Sequence, residues 1–413
     1  MALTTVLFCF YFLLAIGLLL INKNNYLTKW QLVIAFSVKV AFGCAFGYIS
    51  LHYFKGATID TWYYHTEGWK AYQLLLSNPW EFVTKDIFKH GYTENQWNTL
   101  FNSENSYLKD LPNNLMIKLV ALTHLLTGGR YYVNVILYCA IIFKGSLWCY
   151  YLINRYAINS NWWYYLVFFF PPFLFWNSGI MKDGICFMGI MGCLYSFSNF
   201  IHHRRFLYLV QAFLFFQLVF FFRSYVGILL FCTCIYWLII NGGNYSKWML
   251  TLLFSATMLF LFFASSWLPN GMNLPLKLAE RQQAFIALNA NSLLNANNIN
   301  QSVGSYFNYL PKAIAHLLLT PRITQVTSLP LVAAYLEQAL FIGMLLTALW
   351  FRVKRKATSQ VPFFWAIAFF CIANYLVIGY TVPILGAIVR YRSSYYLLFI
   401  CIFYQNILAR INK

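Results

Sequence analysis

Long apolar runs alternate with short polar segments along most of the chain. A bilayer core of about 30 Å takes roughly 20 apolar residues as helix. Runs of that kind predict spans at 2–21, 31–53, 131–153, 161–178, 184–201, 206–222, 225–240, 248–267, 328–351, 361–380 and 393–409. The fold class this implies is all-α, a polytopic membrane protein with about eleven transmembrane helices. Aromatic residues crowd the span ends, as in Trp162, Trp163, Tyr164 and Tyr165, where an interfacial belt is expected. The first span has no basic flank and no small-residue cleavage site before Asn22, so it reads as a retained helix and not a signal peptide.

The short connections set an orientation. Lys23 and Lys29, Arg155, the run from His202 to Arg205, Lys247, residues 352–356 and residues 410–413 all fall on one side if the N-terminus is outside and the C-terminus inside. Agreement of this kind is the positive-inside pattern. It places 54–130, 268–327 and 381–392 outside. The chain then divides into two leading helices (1–53), an outer loop with surface-lying helices (54–130) and a six-helix core (131–267). A second large outer loop (268–327) and three C-terminal helices (328–413) complete it.

Composition excludes the soluble alternative. Of 413 residues, 61% are hydrophobic and 9% charged, whereas soluble domains carry about 25% charged residues. The formal net charge of +19 would suggest nucleic acid in a soluble chain; here most of it is cytoplasmic-side lysine and arginine, and no nucleic-acid partner is expected. All ten cysteines fall within spans, which suits small apolar packing better than a disulfide or metal framework.

The acids are the informative minority. Asp60, Glu67, Glu81, Asp86, Glu94, Glu104 and Asp110 all lie in the first outer loop; Asp183 opens the fifth span, Glu280 sits in the later outer loop and Glu337 within the ninth span. Asp60 lies in KGATIDTWYYHTEG close to the membrane, beside His65 and Glu67. A carboxylate there suits a general base acting on a hydroxyl, or a ligand to a divalent cation. The plainer alternative is a loop acid capping a helix. Residues 67–76 carry Trp69, Tyr72, Leu75 and Leu76 at helical spacing, as in a helix lying on the membrane.

Two further features bear chemistry. In FPPFLFWNSGIMKDG (170–184), two prolines interrupt the helical ladder, and broken helices in membranes usually line cavities. Lys182 and Asp183 follow at a helix N-terminus, where anions are favoured. A local pair that merely caps the turn is the alternative. Arg223 in FFFRSYVG, and Arg390, Tyr391 and Arg392 in AIVRYRSSYY, run against the positive-inside trend. Guanidinium forks suit phosphate oxygens, although snorkelling to lipid headgroups would also place them there. Lys39, Lys144 and Glu337 lie inside spans and keep a transporter or lipid flippase open.

On these residues the chain resembles bacterial polysaccharide-biosynthesis membrane proteins of GT-C-type architecture. Asp60 with the 67–76 stretch resembles their first outer loop with its catalytic Asp, Asp183 matches a second acid in the next outer loop, and Arg390-Tyr391-Arg392 resembles their C-terminal R-Y-R. The segments PPFLFWNSGIMKDG, LPKAIAHLLLTPR and LPLVAAYLEQ are similar to stretches in members from exopolysaccharide loci. Where those enzymes have paired acids, this chain has Asp60-Thr61. The resemblance implies a glycosyltransferase of the bacterial inner membrane with its active site facing the periplasm or exterior. Its donor would be a polyprenyl-phosphate- or diphosphate-linked sugar, and its acceptor a saccharide, a lipid or a protein. Asp60, Asp183 and His65 would be catalytic. Lys182, Arg223, Arg390, Arg392, Glu67 and Tyr391 would bind substrate. Mg²⁺ or Mn²⁺, if used, would sit on Asp60 and Asp183. A Wzy-like O-antigen or exopolysaccharide polymerase is the neighbouring alternative, expected to need no metal.

Overall fold

The structure is a computed structural model that describes residues 2–21, 26–52, 60–85, 107–157, 160–242, 245–268, 272–288, 290, 292–296, 298–326, 328–355 and 361–411. Lys23, Asp86, Glu94, Glu104 and Lys413 fall outside the described residues, as do the side chains of 352–356 and of Arg410. The described chain is helical, with no named strand and one isolated bridge between Leu293 and Ile384. In chain order the helices are α1 (Ala2–Ile21), α2 (Lys29–His52), α3 (Asp60–Ser77), α4 (Pro79–Thr84), α5 (Tyr107–Thr127), α6 (Tyr131–Tyr156), α7 (Trp162–Phe169), α8 (Pro171–Trp176) and α9 (Lys182–His203). They continue as α10 (Phe206–Phe222), α11 (Ser224–Gly242), α12 (Lys247–Ala264), α13 (Leu274–Ile286), α14 (Val303–Leu318), α15 (Leu329–Arg355), α16 (Pro362–Thr381) and α17 (Leu385–Ile411).

Eight of the described helices are long and apolar enough to cross a membrane: α1, α2, α6, α9, α11, α12 with the turn that follows it, α15 and α16. With this much apolar helix, the chain is a polytopic membrane protein. Most predicted spans coincide with a helix, but one is interrupted and another starts earlier than expected. Residues 161–178 form two short helices, α7 and α8, because Pro171 and Pro172 cannot continue the ladder. Phe170 before them is extended at φ −67°, ψ 109°, as a residue preceding proline must be. The last helix begins at Leu385, so most of the outer segment expected at 381–392 is helix; Arg390 and Arg392 lie within that helix and not in a loop.

The contacts divide the chain into two compact units, one of residues 1–91, 110–155 and 161–227, the other of 92–109, 156–160 and 228–413. The first unit packs α2, α6 and the broken α7–α8 pair around buried Phe36, Phe143, Phe168 and Phe173. Gly43 lets α2 approach the turn after α8: a Cβ there would lie 2.7 Å from the Ser178 carbonyl oxygen. Lys39, one turn earlier and 2% exposed, donates from Nζ to the Asn177 carbonyl at 3.2 Å. A cation at the C-terminal end of α8 is favourable for the helix dipole.

The second unit gathers α12 to α17. Tyr306, Tyr309, Ala279, Ile299 and Ala313 form a buried cluster against Phe262, Phe263 and Tyr380. Tyr306 ties α14 to α13 through Oη to the Pro275 carbonyl (2.6 Å), and Tyr380 ties α16 to α14 through Oη to the Tyr306 carbonyl (2.9 Å).

Candidate functional site

In the first unit α3 and α5 pack onto the ends of α2, α6 and α9. Thr61 and Tyr131 share a buried hydroxyl–hydroxyl bond at 2.7 Å, and Trp62 donates from Nε1 to the Gly47 carbonyl at 2.9 Å while stacking on Tyr131 at 4.0 Å. Asp60 opens α3 in the first turn, where a carboxylate complements the helix dipole. Three acids act on Tyr63 one turn later: burial pushes its hydroxyl up, and so do the nearby charges of Glu67, Asp110 and Asp60. Glu67 is itself paired with Lys70 at 2.7 Å. Asp110 is wholly buried, at 0% exposure.

A polar line runs from this acidic helix to the start of α9. Asn113 of α5 accepts at Oδ1 from both Tyr64 Oη (3.1 Å) and Lys182 Nζ (2.5 Å), and the Lys182 ammonium also lies over the Tyr64 ring at 5.5 Å. The next residue, Asp183, is ion-paired with Arg223, the two side chains being 5% and 11% exposed. Arg223 stands between α10 and α11 as the cap of α10. Asp60, Lys182, Asp183 and Arg223, drawn from three separate segments of the sequence, thus stand on elements joined by these polar contacts. Asn113 and Tyr64, which join its parts, were not singled out from the sequence; nothing but the polar Asn113-Asn114 pair inside an amphipathic helix marked them.

His65 sits among rings, 5.0 Å from His124, 5.3 Å from Tyr131 and 5.6 Å from Trp62, and its Nδ1 has no hydrogen-bond partner. Burial, reinforced by His124, pushes its pKa down to about 4. The His124 tautomer follows from its neighbours: the Thr127 hydroxyl donates to Asn134 Oδ1 (2.6 Å), so Asn134 Nδ2 is the donor to His124 Nδ1 (2.9 Å). The proton of His124 is then on Nε2, which faces the His65 carbonyl at 3.3 Å. A neutral His65 with so little proton affinity is a poor base at neutral pH. Because the folded-state value lies below the ordinary 6.5, this imidazole favours the folded state above pH 6.5, and that contribution is lost as pH falls towards 4. Thermal unfolding midpoints should therefore drop between those values, with a shallower drop in His65→Gln, as read by scanning calorimetry.

Comparison with family models, curated proteins and solved structures returned no match. The side chains alone carry the functional argument.

Asp183 is already engaged by the Arg223 guanidinium, a fixed positive charge that would oppose a metal at the same carboxylate. Among the described residues, no three His, Cys, Asp or Glu side chains gather in a group that could hold a metal ion.

Arg390, Tyr391 and Arg392 belong to the second unit. Arg390 lies over the Tyr391 ring at 5.6 Å. Arg392 is 0% exposed, its Nη1 donating to the carbonyls of Leu317 (3.1 Å) and Thr320 (2.5 Å) and its guanidinium lying 5.1 Å from the Tyr396 ring. It serves as a C-terminal cap of α14, favourable for the helix dipole and for the carbonyls that no helical N–H reaches. Glu337 is close enough to act on Arg392 electrostatically, without a direct ion pair among the described residues.

Proposed function

We propose that this chain is an inverting glycosyltransferase of the bacterial inner membrane. Its sugar donor is a polyprenyl-phosphate or diphosphate, and its chemistry takes place on the outer side. Three further crossings complete the eleven of this reading beyond the eight long helices: the broken α7–α8 pair, the 17-residue α10 and α17. The observation that carries the proposal is the polar region that joins Asp60's helix to Lys182, Asp183 and Arg223 through Tyr64 and Asn113.

In this reading the acceptor hydroxyl loses its proton to the Asp60 carboxylate as its oxygen attacks the anomeric carbon. The bond from that carbon to the phosphate oxygen breaks on the opposite face, and the lipid phosphate leaves with the electron pair. Lys182 sits at the N-terminus of α9, where backbone N–H groups already favour an anion, and its ammonium stabilises the leaving phosphate. Asp183 and Arg223 form a rigid pair that fixes the start of α9 and holds Lys182 in place. His65, Trp62 and Tyr131 form an aromatic wall, the kind of surface on which a sugar ring packs. No step passes through a metal, because the acid best placed to bind one is spoken for.

Transfer of labelled sugar from a polyprenyl-phosphate donor, measured with the purified protein in lipid nanodiscs, tests the reading. Asp60→Asn is expected to lower turnover by about 10²–10⁴-fold while leaving the unfolding midpoint unaltered. Full transfer by Asp60→Asn would remove Asp60 from the chemistry, and with it this proposal. If instead Glu337→Gln abolished function and Asp60→Asn did not, transport would be the better reading. Chelation by EDTA should leave the rate unaltered; loss of transfer that added Mn²⁺ restores would contradict the metal-free mechanism.

A further inference from the structure

A second polar group lies in the other unit, where α13 meets α14. Tyr309, Lys312 and His316 follow one another along α14 at steps of three and four residues, so they share one face of the helix. Gln282 of α13 stands against them: its Oε1 accepts from the Ile299 N–H at 2.9 Å, and its amide lies beside the Tyr309 hydroxyl. The rings of Tyr309 and His316 are 6.3 Å apart, and Tyr380 closes the group 5.9 Å from Tyr309.

These side chains are buried with their polar atoms idle. Gln282, Tyr309 and His316 are 0%, 5% and 8% exposed. Gln282 Nε2, Tyr309 Oη and His316 Nδ1 make no hydrogen bond of ordinary geometry. Buried polar groups are paired in native proteins, because an idle one forfeits its hydration without return. Here the three groups lie along the contact of α13 with α14, and all three can donate: an amide N–H, a phenol O–H and an imidazole N–H. The charges that act on His316 are both positive, Lys312 on the same helix and Arg322 just beyond it. Lys312 also lies over the Tyr309 ring at 6.0 Å. Several neutral donors within a positive field form a receptor for an acceptor-rich anion. A water molecule would satisfy the donors but would leave the field uncompensated.

We infer that Gln282, Tyr309 and His316, with Lys312 and Arg322 at the rim, bind an oxyanion: a phosphate group or a sugar carboxylate. The site stands on these side chains alone and does not depend on the transferase reading.

His316 reports occupancy directly. Burial and the two cations push its pKa down to about 4, and an anion beside it would oppose all of these effects. The intact protein, labelled at histidine and held in nanodiscs, would be titrated by NMR with the His316 resonance assigned by its loss in His316→Gln. Inorganic phosphate, glucuronate and glucose are the probes. Phosphate or glucuronate should raise the His316 midpoint by about one unit, a tenfold gain in proton affinity. Whichever anion acts at the lower concentration identifies the source of the oxyanion. Lys312→Gln and Arg322→Gln, on half-buried and exposed positions, should each weaken the effect about tenfold without loss of folding. A midpoint unmoved by either anion would overturn the inference. So would an equal shift with glucose, or an anion effect that survives both rim substitutions together.

Discussion

Asp183→Asn is expected to destabilise the protein by about 3–5 kcal/mol, the usual cost of removing one partner from a buried ion pair. The pair with Arg223 is nearly closed to solvent, at 5% and 11% exposure, so the guanidinium left behind loses this carboxylate with little water to replace it. The expected readout is a fall of several degrees in the unfolding midpoint in detergent, with loss of sugar transfer. A second variant separates the two effects. Asp183→Leu combined with Arg223→Met removes both charges, and apolar replacement of a whole buried pair is often neutral or stabilising. That double variant should recover most of the midpoint and none of the activity. Recovery of both would mean that the pair supports the fold and does not position the start of α9 for chemistry.

Gly43→Ala is expected to act through the backbone. The added Cβ would lie 2.7 Å from the Ser178 carbonyl oxygen and 2.7 Å from a methyl of Val135, and a carbonyl cannot swing aside as a side chain can. Overpacking of this kind costs about 1–3 kcal/mol. The turn that must move leads within a few residues to Lys182 and Asp183, so transfer should fall further than stability alone predicts; misplacement by about 1 Å can cost roughly 100-fold in rate. Gly17→Ala is the matched control. Nothing lies within 4 Å of the point where its new methyl would stand, and alanine is the better helix former, so midpoint and rate should both hold or rise slightly. Equal behaviour of the two variants would show that the close approach at Gly43 has no part in placing the turn.

The helices were legible in the sequence because a bilayer imposes one length on every crossing, and runs such as 2–21 or 361–380 meet it almost residue for residue. The break at Pro171 was legible too, since proline acts locally. The start of α17 was not. Arg390 and Arg392 read as loop charges, yet Arg392 is fully buried because the chain turns carbonyls of Leu317 and Thr320 towards it, a partnership some 70 residues away in sequence that no local pattern announces. The same limit hid Asn113. Asp60, Lys182, Asp183 and Arg223 stood out as charged exceptions in an apolar chain, but the amide and phenol that connect them are ordinary residue types. His65 shows the reverse case: its identity suggested a base, and the ring packing around it removes that capacity.

The bond from Lys182 to Asn113 spans 69 residues of sequence, and it has a consequence for how the molecule is made. At a synthesis rate of about 5–20 residues per second, α5 leaves the ribosome on the order of ten seconds before the lysine that anchors it. Throughout that interval Tyr64 is the partner Asn113 can have, and the lysine is still to come. The contact of α3 and α5 with the start of α9 is therefore late to consolidate, and a ribosome pause during that window would determine how much of the chain reaches its final form.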